Sequence, residues 1–282
     1  MIKDDENLTD QPFNRFRNRV TLTLEARDKA REATGEIKGY MANVTAETEL
    51  MLERVDWIKE QGGKYVMVDL VTCGFSALQT LIKETRKKKL IVHAHRAMHA
   101  ALTRNQKHGI TMLLLAELAR LAGVDQIHVG TAVGKMEGPA LDVYEIEEMI
   151  ETSFFKPQLE LRKFQHRWNL SKVKRIKKKS KGNKKIIHAL EQRWYHLKPV
   201  FAVCSGGLHP GLVPYLVQLL GKNIIIQMGG GIHGHPHGTV AGARAARQAI
   251  DATMQGIKLE VYAKQHEELR LALLKWGRKR VR

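Results

Sequence analysis

Four groups of residues in this chain have types and spacings that could do chemistry together. Lys3-Asp4-Asp5-Glu6 stands almost at the first residue. Asp5 and Glu6 are hard oxygen donors of the kind that suit Mg2+, and Lys3 shares a face with Asp5 wherever the chain is extended. An ammonium cannot ligate a cation, but a lysine that has added CO2 is a carbamate anion and can. His93-Ala94-His95-Arg96 closes an apolar run. Strand alternation puts both histidines on one face, with Arg96 just past the end. Arg96 offers a planar fork for a phosphate, and His95 a partner for a substrate hydroxyl; His99, one turn on, reads as support.

The third group starts at His128, which reads as a strand end, and continues through Gly130, Gly134, Lys135 and Gly138. A lysine flanked by glycines lies on a loop able to close, and Lys135 could bring positive charge to a developing carboxylate once water is excluded. The fourth is a pair of glycine turns, Ser205-Gly206-Gly207 and Gly229-Gly230-Gly231. Backbone without side chains lets N–H groups approach an anion. Each group alone also has an ordinary reading: a solvated terminus, a structural histidine, an exposed lysine on a turn, a tight loop. The stretch 231–238 alternates His233, His235 and His237 with Gly and Pro. Zinc is one reading, but no Cys or acidic residue lies nearby, and it reads better as a structural loop capping the last strand.

Six short apolar runs must position these groups: 37–44, 65–71, 90–95, 126–131, 199–204 and 223–228. Most are nearly continuous in Val, Ile, Leu and Ala, as in strands covered on both faces. Between them lie amphipathic stretches at about 14–34, 46–61, 74–88, 106–122, 143–152, 210–220 and 239–256, with a last helix at about 259–276. Strand–helix alternation predicts an α/β fold with a parallel sheet. Chemistry at nearly every strand end favours a TIM (β/α)8-type barrel, whose strand C-termini share one mouth, over an open sheet with a single switch point. Six strands and a stub at 1–3 predict an incomplete barrel, with the first strand and part of the second outside the chain. Two open parallel edges then predict poor stability or aggregation of the chain alone.

The length of 282 residues suits one α/β domain over residues 1–282. Hydrophobic content of 43% excludes disorder as the default. Neither a membrane span nor a signal peptide is visible, and Cys73 and Cys204 read as buried thiols of a reducing cytoplasm. The net charge of +18 is concentrated in two appendages. Residues 162–185 hold twelve Lys or Arg and no acid, and 275–282 hold five more. The first reads as a basic insert, the second as a tail after the C-terminal helix at about 259–282. Either could bind nucleic acid through phosphates, but with only Phe164 and Trp168 in the insert, base stacking is poorly supported and a solvated charge run is favoured.

Together the motifs resemble the large subunit of ribulose-1,5-bisphosphate carboxylase/oxygenase (Rubisco), and the archaeal type III branch more than the plant type. The matching stretches are Ile2-Lys-Asp-Asp-Glu-Asn, Thr34-Gly-Glu-Ile-Lys-Gly, His93-Ala-His-Arg-Ala-Met-His-Ala100, His128-Val-Gly-Thr-Ala-Val-Gly-Lys-Met-Glu-Gly138, Ser205-Gly-Gly-Leu-His-Pro210 and Gln227-Met-Gly-Gly-Gly onward. The resemblance implies that Lys3 is carbamylated by CO2 and holds Mg2+ with Asp5 and Glu6. It implies that His95 contacts the reacting hydroxyls and that Arg96, His128 and Ser205 gather round one phosphate. Gly229 and Gly230 take the other, with Gly206 and Gly207 nearby, and Lys135 closes over the site. The reaction implied is enolisation and carboxylation of ribulose 1,5-bisphosphate by CO2 (or attack by O2), giving two 3-phosphoglycerates on carboxylation, in carbon fixation or in AMP and nucleotide salvage. Partners implied are further copies in a dimer or higher oligomer, and a separate N-terminal half. That half would bring the family's proton-abstracting lysine, which lies upstream of Met1, and a small domain that completes a neighbouring subunit's site. A Rubisco-like enolase or isomerase is the competing reading, and the retained Lys135, Arg96, His128 and Ser205 argue against it.

Overall fold

The computed structural model describes residues 1–5, 11–105, 107–133, 140–156 and 190–278. Within these the chain forms two compact units, Met1–His128 with His196–Val200, and Val129–Tyr195 with Phe201–Arg282.

The first unit alternates strand and helix: β1 (Ile2–Lys3), α1 (Phe16–Thr34), β2 (Tyr40–Asn43), α2 (Thr48–Glu60), β3 (Tyr65–Asp69), α3 (Leu70–Lys87), β4 (Ile91–His95), the short α4 (His99–Thr103), α5 (Met112–Ala122) and the start of β5 (Gln126–Gly130). The strands pair in sequence order and all in parallel, with Lys3 beside Met41, Asn43 beside Met67, Asp69 beside His95 and His93 beside Gln126. This register brings the C-terminal ends of β1 to β4 to one level. The apolar runs are buried as two-sided strands require: Val66, Met67, Val68, Val92 and Ala94 are all at or near zero exposure. Helix ends follow local chemistry. Glu47 accepts from the N–H groups of Glu49 and Leu50, Thr111 from that of Leu114, and Gly35 ends α1 at φ 66.

The second unit takes up the end of β5 and continues with α6 (Ala140–Glu151), β6 (Phe154–Phe155), β7 (Gln192–Arg193), β8 (Phe201–Cys204), α7 (Val213–Leu220), β9 (Ile224–Ile226), α8 (Gly230–His233), α9 (Gly238–Met254), α10 (Leu259–Tyr262) and α11 (Glu267–Trp276). Strands β8 and β9 are parallel, and Ser205 N donates to Gly130 O at 3.1 Å. A small antiparallel pair, β6 with β7, was not anticipated.

Three expected helices differ. The helix expected at 106–122 begins only at Met112, after the short α4. The helix expected at 74–88 begins at Leu70, directly after β3, and absorbs Gly74 as a kink at φ 78; an L residue at that φ would be strained. The helix expected at 259–276 is two, broken where His266 is extended and bonds back to Tyr262 O. The basic insert at 162–185 and the last four residues lie outside the described residues. No helix of the described residues is long and apolar enough to cross a membrane.

Candidate functional site

The first unit gathers five of the expected residues, Lys3 and Asp5 at the end of β1, His95 and Arg96 at the end of β4, and His128 within β5. Lys3 is half-buried, Asp4 buried and Asp5 exposed, so alternation turns Asp4 inward and leaves Lys3 and Asp5 on the opposite face. Asp4 is held from three directions. Its Oδ2 accepts from Arg19 Nε at 2.9 Å and Asn43 N at 3.0 Å, and its Oδ1 from Tyr40 Oη at 2.6 Å. Burial, then the Asp4 charge, raises the Tyr40 hydroxyl pKa, so Tyr40 stays a donor. Lys3 Nζ donates to Asp4 O at 2.8 Å and lies 3.8 Å from Met67 Sδ.

His93, His95 and His128 form an imidazole cluster. His93 bonds Gln126 Oε1 through Nδ1 at 2.9 Å and His128 Nε2 through Nε2 at 2.9 Å. With Gln126 Oε1 as acceptor, Nδ1 of a neutral His93 carries its proton, Nε2 accepts, and His128 donates. His95 packs edge-on against His128, centroids 4.4 Å apart. Burial holds His93 at about 4, assisted by the charge of Lys3, and pushes His128 well below the ordinary range, assisted by His93, His95, Lys3 and Arg96. Burial likewise lowers Arg96 to about 10, leaving it cationic at neutral pH. Lys3, Arg96 and the three rings therefore act on one another electrostatically. Their summed field favours an anion and disfavours added protons.

One expectation is corrected here. His128 does not end its strand: β5 runs on to Gly130, and His128 sits at its centre, 1% exposed. The apolar Val129 after it carries the strand two residues further. Sequence reasoning also missed Asp69. This carboxylate ends β3, is 3% exposed, and takes Asn43 Nδ2 on Oδ2 at 2.9 Å. Its Oδ1 is 3.2 Å from His95 Nδ1. An aspartate closing the run Tyr65-Val-Met-Val was the available signal, masked by reading the strand through to residue 71.

The second unit carries the glycine turns. Gly206 and Gly207 have φ of 101 and 64, which L side chains resist. A Cβ at Gly231 would run into Leu208 O, so glycine there lets the two turns touch. Gly229 and Gly230 differ: a Cβ on either would meet nothing within 4 Å. Sterics therefore do not require glycine at these two positions, and the space above their backbone is open. His235, buried, bonds Glu268 O through Nε2 at 2.9 Å and accepts from His237 N through Nδ1 at 3.1 Å. Both ring nitrogens of His235 are thus occupied within the fold, whereas His233 and His237 are exposed. Helix α11 braces both turns, with Trp276 stacked on His209 and Lys275 Nζ donating to Gly234 O. Glu6, Gly134, Lys135 and Gly138 lie outside the described residues.

The family model for the ribulose bisphosphate carboxylase large chain, catalytic domain, matches residues 1–176 and 171–276. Ribulose bisphosphate carboxylase of Methanosarcina mazei is 46% identical over 280 residues, which cover 99% of this chain and 59% of that protein. That of Methanocaldococcus jannaschii is 47% identical over 276 residues, covering 98% and 58%. Among solved structures, a dimeric archaeal Rubisco from Hyperthermus butylicus superposes with a TM-score of 0.84 at 44% identity, covering 98% of this chain and 58% of that one. An octameric Rubisco from Pyrococcus horikoshii gives 0.80 at 44%, covering 98% and 57%. The expected α/β fold of that kind is thus shown, and the chain spans a little under three fifths of the length of these relatives.

Proposed function

We propose that this chain, which belongs to the ribulose bisphosphate carboxylase large-chain family, supplies the catalytic part of a Mg2+-dependent carboxylase acting on ribulose 1,5-bisphosphate. The observation that carries the reading is that Lys3 and Asp5 share one face, with Lys3 and Arg96 acting electrostatically on the same neutral histidines, in a chain 46% identical to a carboxylase over nearly its whole length.

The donor set fits the metal. Asp5 and Glu6 bring two carboxylates and Lys3, once its amine has added CO2 and released a proton, a third anionic oxygen group; hard oxygen donors of this kind suit octahedral Mg2+. A bound Mg2+ would supply Lewis-acid charge for the oxyanion that develops on the substrate. Asp4 keeps the end of β1 fixed so that Lys3 and Asp5 face the same way. Arg96 offers a phosphate two parallel donors, with His128 held beside it by His93. His95 serves the reacting hydroxyl as hydrogen-bond partner or proton acceptor. In the second unit Ser205, Gly206, Gly207, Gly229 and Gly230 present hydroxyl and backbone groups to a phosphate. Lys135 would neutralise the new carboxylate. Carboxylation forms one C–C bond to CO2, and hydrolysis breaks the neighbouring C–C bond to release two 3-phosphoglycerates.

Assembly follows from the same reading: a dimer or higher oligomer, in the cytoplasm, with further polypeptide completing the relatives' length. A role in nucleotide salvage goes with the archaeal relatives. The retained Arg96, His128 and Ser205 favour carboxylation over enolisation alone. The test mixes this chain with a polypeptide covering the remainder of an archaeal relative. Labelled CO2 should enter acid-stable product only with the bisphosphate and Mg2+, after preincubation with CO2. A folded, associated pair that fixes no CO2 would overturn the proposal; one that exchanges the substrate's C3 proton without fixation would shift it to an enolase.

A further inference from the structure

Asp69 is the buried carboxylate that the reaction above leaves without a task. Its Oδ2 takes Asn43 Nδ2 at 2.9 Å, and its backbone N donates to Thr45 Oγ1 at 2.8 Å. Its Oδ1 is buried, makes no hydrogen bond of ordinary geometry, and has His95 Nδ1 3.2 Å away. That nitrogen also lies 3.1 Å from the N–H of Ala97. One ring nitrogen thus faces a donor and an acceptor, and serves only one of them at a time. With the proton on Nε2, Nδ1 accepts from Ala97. With the proton on Nδ1, the ring donates to Asp69.

Burial decides between them. The Asp69 side chain is 4% exposed, whereas Ala97 offers a neutral backbone N–H on a residue that is only half-buried. A buried acceptor left unmet is costly, more so when it is charged, and a bond to a carboxylate is roughly twice as strong as a neutral one. A small turn of the ring that aligns Nδ1–H with Oδ1 is therefore favoured. We propose that Asp69 is a positioning residue for His95, holding the ring's proton on Nδ1 so that Nε2 is left as the basic nitrogen. The inference rests on the carboxylase reading only for its kinetic consequence; the proton's location is a property of the folded chain.

The same geometry predicts how to reverse the arrangement. Asn43 Oδ1 accepts from Thr45 N at 3.1 Å and Thr45 Oγ1 at 2.6 Å. A backbone N–H cannot become an acceptor, so the Asn43 amide is fixed with its NH2 group toward Asp69. In Asp69→Asn the new carbonyl must face Asn43, and the new NH2 must face His95. Nδ1 then accepts, and the proton moves to Nε2.

The full chain labelled with 15N-histidine, with His95 assigned by loss of its signals in His95→Gln, reports the proton's position through long-range 1H–15N correlations. The expected result is Nδ1–H in the native chain and Nε2–H in Asp69→Asn. Nε2–H in the native chain overturns the inference even if Asp69→Asn fails to fold. An unchanged Nδ1–H pattern in a folded Asp69→Asn chain overturns it as well. In the carboxylase assay with the complementing polypeptide, Asp69→Asn should lower kcat by about a hundredfold or more, the usual scale of a displaced acid or base, with KM within about twofold. A loss confined to KM overturns the positioning role. Absence of carboxylation in the native pair bears on the carboxylase reading alone, since the NMR result stands without it.

Discussion

Replacing Arg19 by Met tests whether the Asp4 anchor holds the site's first strand. The guanidinium and carboxylate are 2.9 Å apart, with side chains 6% and 5% exposed. Removing one partner of such a pair leaves a buried charge and costs about 3–5 kcal/mol. Asp4 would keep Tyr40 Oη at 2.6 Å and Asn43 N at 3.0 Å, and bonds to a charged group contribute about 1.5–3 kcal/mol each. The lower end, about 3 kcal/mol, is therefore expected. Met keeps an apolar stem of similar length, though it loses the guanidinium that lies 5.5 Å from the Phe16 ring centroid. Native-state hydrogen exchange on β2 amides measures the effect where it acts, and about 3 kcal/mol appears there as about a hundredfold loss of protection. Lys87→Met is the control: its pair with Glu84 is exposed, with Lys87 at 70%, and is worth about 0–1 kcal/mol. Combining Arg19→Met with Asp4→Asn should recover part of the loss, because no buried charge then remains. Equal costs for Arg19→Met and Lys87→Met would refute the reasoning.

Three further outcomes are expected. His93 titrates at about 4 because it is buried, against about 6.5 when unfolded. Its stabilisation is present above pH 6.5 and lost as pH falls toward 4, up to about 3 kcal/mol; urea unfolding that is flat between pH 7.5 and 4.5 would contradict this. Glu145 goes the other way. Burial, with Asp142 and Glu148, raises it to about 7, so the folded state holds the proton more tightly and stability is lost as pH rises from 4.5 through 7. Glu145→Gln should then raise stability by about 1–3 kcal/mol at pH 8 and by little at pH 4, read by paired melts. Gly229→Ala should leave the melting temperature unchanged within about 2 °C, since nothing opposes a Cβ there. It should weaken binding of a sugar bisphosphate at least tenfold by calorimetry, and unchanged affinity would remove Gly229 from the phosphate site.

The elements were legible because most of their signals are local. Continuous Val, Ile and Ala runs gave β2 to β5, β8 and β9 to within a few residues, and Thr111 and Gly35 mark helix ends by chemistry that depends only on neighbours. The helix α3 start and the break before α11 were not legible. Gly74 and His266 sit in backbone states that tertiary contacts impose, not ones that composition announces. The site divides the same way. Lys3, Asp5, His95 and Arg96 stand at strand ends and were read there. Asp4, Asn43 and Asp69 were not, because each acquires its partners from other elements of the fold. Asp4 meets Arg19 and Tyr40 across 15 and 36 residues, and Asn43 meets Asp69 across 26. Such pairings exist only once register is fixed.

These buried polar residues form one connected path. Asn43 donates its backbone N–H to Asp4 and its side-chain NH2 to Asp69, and Asp69 faces His95. Burying two carboxylates beneath a parallel sheet carries a desolvation penalty that apolar residues of the same volume would avoid. Stability therefore does not explain them. What they do provide is direction: Asp4 commits β1 to one face-up arrangement of Lys3 and Asp5, while Asp69 commits the His95 ring. Asn43, wholly buried and with its amide orientation fixed by Thr45, ties the two commitments together. In the proposed reaction the Lys3–Asp5 limb and the His95 ring must be set relative to each other to within a fraction of an ångström. A path of three fixed hydrogen-bonding groups, running through adjacent strands of one unit, achieves that without relying on the exposed side chains themselves.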